Sequence, residues 1–120
     1  MSEPVVLNAT TWNYKEMERG LKLEGTSPRQ MAIFMDGITT RGLKLEMHLS
    51  DLGPGLSPHA PHQHVNEELI LVLDGTLEIE LDGQKTTLGP GSVAYVASNV
   101  RHAMRNVGTT NARYIPLTIG

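Results

Sequence analysis

The sequence predicts an all-β domain of the jelly-roll type. The chain runs as short apolar or alternating segments broken by Gly, Pro, Asn and Asp, with little sustained helical periodicity. Two Asp-Gly pairs, Asp74-Gly75 and Asp82-Gly83, stand eight residues apart, and Asp-Gly favours a tight hairpin because Gly accepts the positive φ of a type I′ turn. About eight short strands cannot all protect their edges in one flat open sheet, so closure into a barrel or a double sheet is expected.

The elements follow in order. Between Thr10 and Gly25, residues Trp12, Tyr14 and Met17 fit either a short helix capped by Thr10 or Thr11 or an extended arm. Met31 to Met35 reads as a strand, its two methionines as core packing. From Leu43 to Leu49, Leu43, Leu45, Met47 and Leu49 alternate with Lys44, Glu46 and His48, which predicts a strand that buries its leucine face. Asp51 to Pro61, with Gly53, Pro54, Gly55, Pro58 and Pro61, reads as the one long loop. Leu69 to Leu73 is a continuous apolar run, and the Asp-Gly pairs set it off from Leu77–Leu81 and that in turn from Lys85–Leu88. Ser92–Ala97, His102–Asn106 and Ala112–Ile119 complete the strands. The organisation expected is a single domain over 1–120, with an N-terminal arm over 1–28 and the barrel over 29–120.

Composition narrows the function. A chain of 120 residues with 39% hydrophobic and 19% charged residues is far from the signature of disorder. Its net charge of −3 offers no cationic field for a phosphate backbone, so nucleic acid is not expected as a partner. Apolar runs are too short to span a membrane, and Met1 to Asn13 lacks the pattern of a secretory signal. A soluble cytoplasmic protein is expected, or a periplasmic one had a leader been removed. With no cysteine, a metal would be held by nitrogen and oxygen.

The stretch Pro61-His62-Gln63-His64-Val65-Asn66-Glu67-Glu68 carries the chemistry. Histidines at i and i+2 project to one side of an extended chain; Glu68 keeps that parity and Glu67 does not. His102 follows the turn Gly89-Pro90-Gly91 and a strand, from which a barrel can return it to the other three. Three imidazoles and a carboxylate suit one divalent Fe, Mn, Zn, Ni or Cu ion. Alone, His-x-His is more often a chance feature of an exposed loop.

The spacings resemble the two motifs of the cupin superfamily. Gly55, His62, His64, Glu68 and Gly75 fall at the places of the first, and Gly91, His102 and Asn106 at those of the second. This chain departs from the pattern by one extra residue before His62, by Ser92 where Asp is common, and by Ala97 and Asn99 in the Pro and Gly places. The resemblance spans Leu43 to Ile119, about two thirds of the chain. It implies a double-stranded β-helix with metal ligands His62, His64, Glu68 and His102 inside one open end of the barrel, and often a homodimer. Exposed sheet edges and the segment from Thr10 to Gly25 offer the means for strand exchange in such a dimer, which makes Trp12 and Tyr14 interface candidates. The resemblance also implies an aromatic facing the metal at Tyr114, a pocket residue and proton donor. His48 reads as solvent-exposed from its alternation, whereas the resemblance allows it to point into the barrel mouth as a second catalytic group. His59 reads as a rim residue, and Arg101 and Arg105 as solvent-facing.

A cupin fold does not name a reaction. Two functions are expected to compete: a metal-dependent enzyme acting on a small oxygenated molecule, dioxygenase-like ahead of isomerase- or lyase-like, and a non-catalytic module that binds a small ligand or metal. No DNA-binding segment is expected beside the barrel, which argues against a one-chain transcription regulator.

Overall fold

The computed structural model describes residues 5–25 and 28–120; of the arm read over 1–28, residues 1–4 and 26–27 lie outside it. Among the described residues there are one short helix, α1 (Tyr14–Arg19), and nine strands: β1 (Lys22–Leu23), β2 (Arg29–Ile38), β3 (Lys44–Leu52), β4 (Glu67–Asp74), β5 (Leu77–Leu81), β6 (Gln84–Leu88), β7 (Val93–Val96), β8 (His102–Asn106) and β9 (Ala112–Ile119). The open alternative between Thr10 and Gly25 resolves to both forms, a helix and then an extended pair. Asn13 caps α1, its side chain accepting from the backbone N–H groups of Lys15 and Glu16.

The strands form two antiparallel sheets, one in the order β1-β2-β3-β9-β4-β7 and one in the order β6-β5-β8. The two Asp-Gly pairs therefore do different things. Asp82 and Gly83, both at positive φ, close the β5–β6 hairpin. Asp74-Gly75 is not a hairpin turn, because β4 lies in the large sheet and β5 in the small one. At Gly75 the chain passes so close to β9 that a Cβ would lie 2.8 Å from Ala112 Cα, so glycine is required there by contact as well as by φ.

Cross-strand partners share a face, and the register fixes which face is inside. Ser50 pairs with Tyr114, Leu52 with Ala112, Val72 with Tyr114 and Ile70 with Ala94. The core comprises Leu52, Ile70, Val72, Leu77, Ile79, Ala94, Met104, Ala112 and Tyr114. The even positions of β3 thus look inward, opposite to the leucine face expected to be buried. Leu45 and Met47 are only half-buried on the outer face, and Leu49 is fully buried there. It pairs with Ala32, which lies next to Gly20 at the end of α1. Helix α1 is held on that face by Arg113, which bonds Asp51 with Nε at 3.0 Å and Nη2 at 2.8 Å and reaches Tyr14 and Glu18 with Nη1. Because Arg113 and Asn111 satisfy its carboxylate, Asp51 can be buried in a strand; β3 runs on through Leu52 where a loop was expected. Met31 and Met35 are half-buried and lie outside the core cluster. Among the described residues no helix is long and apolar enough to cross a membrane.

Candidate metal centre

Two distant segments carry the histidines, and the backbone joins them. His62 N–H donates to His102 O at 3.0 Å and His102 N–H returns to His62 O at 2.8 Å. Nearby, Asn99 N–H donates to His64 O at 2.8 Å. Asn99 has φ +61°, a left-handed conformation that Asn tolerates, so its departure from the expected Gly costs the turn little.

The ligand atoms of His62, His64 and His102 lie within 4.8 Å of one another. His64 Nδ1 lies 2.8 Å from Asn66 O, and His102 Nδ1 lies 2.9 Å from Val100 O. A carbonyl only accepts, so each Nδ1 carries the proton and each Nε2 presents a lone pair inward. His62 Nε2 and His102 Nε2 are 3.0 Å apart. Two nitrogens at right angles on one ion, each about 2.1 Å from it, would be about 3.0 Å apart, so the spacing fits a shared cation. Glu68 Oε1 lies 3.3 Å from His64 Nε2 and 3.9 Å from His102 Nε2, at the side of the triad. Glu67 looks outward, where its carboxylate accepts from Tyr95 Oη. The parity argument thus separates the two glutamates as the structure does. Burial and the imidazoles of His59, His102 and His64 hold His62 down to about 4, leaving it neutral at ordinary pH. His59 is exposed and stacks on His62 with ring centroids 3.9 Å apart, outside the convergent set.

Further polar side chains face the barrel interior. His48, Ser50 and Tyr114 all have inward parity, and His48 Nδ1, Ser50 Oγ and Tyr114 Oη are buried without a hydrogen-bond partner among the described residues. His48 is therefore not simply solvent-exposed, as its alternation suggested. Arg29, paired with Leu52 and only 13% exposed at its side chain, joins them. Burial raises the Tyr114 pKa, opposed by Arg29 and Ser50, which lie beside the phenol without bonding it. Burial and then the Arg29 charge lower that of His48. Arg29 and Ser50 escaped the sequence reading. Ser50 shares the parity of His48 and could have been found by extending the strand, whereas Arg29 is placed only by pairing across β2. Arg101 and Arg105 are exposed.

The family model for the Cupin_2 cupin domain matches residues 48–119. The chain belongs to the Cupin_2 family. This cupin is 28% identical over 101 residues to "Polyketide synthase CurC" from Streptomyces cyaneus, covering 84% of the chain and 63% of the relative's length. Among solved structures it is similar to KdgF from Halomonas sp., at 18% identity and TM-score 0.71, with 93% of this chain and 94% of that one covered. A predicted oxalate decarboxylase from Thermotoga maritima is similar at 21% identity and TM-score 0.64, with coverage of 76% and 79%. At such identities the structural likeness shows the fold alone.

Proposed function

We propose that this cupin is a metal-dependent enzyme acting on a small organic molecule that presents two oxygens to one divalent ion held by His62, His64, Glu68 and His102. The observation that supports this reading is the presence, in one small barrel, of three convergent histidine ligands and of three buried polar atoms on His48, Ser50 and Tyr114 that have no partner among the described residues. When bound, the ion supplies a Lewis acid with open positions, and with a redox-active metal a centre for oxygen chemistry. Tyr114, protonated well above neutral pH, donates a hydrogen bond to a substrate oxygen and returns a proton to it. His48, held neutral, accepts a proton from an acidified C–H or O–H group. The likeness to a relative named as a polyketide synthase supports a multiply oxygenated carbon chain, such as a diketone, among the chelating substrates.

Oxygenase chemistry stands slightly ahead of isomerisation or lyase cleavage. The test reconstitutes metal-free protein with Fe, Mn, Ni, Cu or Zn and follows oxygen uptake and product formation across diketones, catechols and hydroxy acids. Turnover by at least one metal form is expected. Tight binding without conversion by every form would replace the enzyme with a ligand-binding module.

We further propose a homodimer. Outward-facing Leu69, Val93 and Tyr95 are 42%, 58% and 53% exposed on adjacent strands, next to half-buried Leu71, Ile115 and Leu117. A contiguous apolar sheet face of this kind calls for a partner.

A further inference from the structure

We propose that Arg29 anchors a carboxylate carried by a ligand that enters the barrel interior, and that Glu24 occupies the guanidinium until that carboxylate replaces it. The proposal rests on reading the cluster of His48, Ser50 and Tyr114 as a ligand site. It does not depend on which reaction occurs there.

Arg29 is a buried cation with five N–H donors. Among the described residues its side chain meets one acceptor, Glu24 Oε2, which takes bonds from both Nε, at 3.0 Å, and Nη2. A carboxylate seated fork to fork uses both oxygens, so the guanidinium is under-used. Beside it stand Tyr114 Oη and Ser50 Oγ, fully buried and without a partner among the described residues, with His48 Nδ1 on the same strand as Ser50. The guanidinium can only donate and both hydroxyls can, so a group rich in lone pairs answers this side of the cluster. A carboxylate meets that description. The group already in the fork is itself a carboxylate, whereas the greater charge of a phosphate would meet more repulsion from Glu68, whose field reaches the Tyr114 phenol.

Glu24 is built to yield. Its backbone N–H is fixed to Arg29 O at 3.1 Å, but its side chain is 36% exposed and can swing to solvent. By register Leu52 and Met31 are the cross-strand partners of Arg29 and Ser50, so the residues paired with these two polar groups are apolar.

The test is calorimetric titration of chelator-treated, metal-free protein with benzoate and with benzamide, its neutral isostere. Benzoate is expected to bind about tenfold tighter than benzamide, the ratio typical of a charged hydrogen-bonded pair. Arg29→Gln should erase that preference, and Tyr114→Phe should weaken benzoate binding several-fold. Glu24→Gln should tighten it, because the competing carboxylate is gone. Equal binding of the two probes, no benzoate binding, or a preference that survives Arg29→Gln would overturn the proposal, as would weaker benzoate binding in Glu24→Gln. If Arg29→Gln does not fold, the Glu24 and Tyr114 variants decide. Metal binding is measured separately with His64→Ala: an Arg29-dependent benzoate preference in a protein that takes up no metal leaves the anchor standing and removes only the metal reading.

Discussion

Ser50 and Tyr114 stand opposite each other across β3 and β9, both fully buried, and neither hydroxyl bonds the other or any described group. A buried polar group left unpaired costs about 1–3 kcal/mol. A core shaped for stability alone would carry Ala and Phe there.

Tyr114→Phe should therefore leave the melting temperature unchanged or raise it, by about 1 kcal/mol of stability at most, while lowering turnover of a chelating substrate. Thermal unfolding and steady-state kinetics on the same preparations check both halves. A variant that melts lower and turns over normally would make Tyr114 a structural residue.

Purified protein should hold about one divalent ion per chain, and His62→Ala, His64→Ala and His102→Ala should each reduce its metal content severely by elemental analysis. Glu68→Ala should reduce it as well. Glu67→Ala should not, since that carboxylate faces Tyr95 on the outer surface. Metal retained by His102→Ala would break the assignment.

The pH dependence has a definite sign. His48 titrates below its ordinary value of about 6.5 because folding desolvates it and sets it near Arg29. Between that lowered pKa and about 6.5 the unfolded chain binds a proton that the folded one does not, so stability is lost as pH falls through this window. His48→Gln should reduce the pH dependence of the metal-free melting temperature below pH about 6.5, the remaining slope coming from His62, which is held down to about 4. An unchanged slope would show that His48 is solvated.

In solution the chain should be a dimer at micromolar concentration, and Leu69→Glu should yield monomers by light scattering without loss of secondary structure. A charge placed in a desolvated apolar contact is what the dimer could not accommodate. A wild-type monomer, or a dimer indifferent to Leu69→Glu, would show that this face is not the interface.

Much of the architecture was legible because local chemistry and tertiary structure agree. The Asp82-Gly83 hairpin, the β9 boundaries, and the opposite directions of Glu67 and Glu68 follow from turn propensity and parity alone. The inward face of β3 was not legible. A strand with leucines on one side reads as burying that side, and here both sides find cover, the odd one partly from α1 and the even one from the barrel. Asp74-Gly75 misled for a related reason: the dipeptide encodes a turn but not the sheet the chain enters afterwards. Arg29 left no trace in the sequence, since only the β2–β3 register places it opposite Leu52.

The loop before β4 is stitched to β8 at both ends, through Gly55 and Leu56 to Asn106 and through His62 to His102. Four backbone hydrogen bonds thus tie together two segments whose histidines stand 40 residues apart in sequence. A strain that parts this loop from β8 also parts His62 from His102, so the spacing of the ligands and the closure of that end of the barrel are one and the same mechanical property.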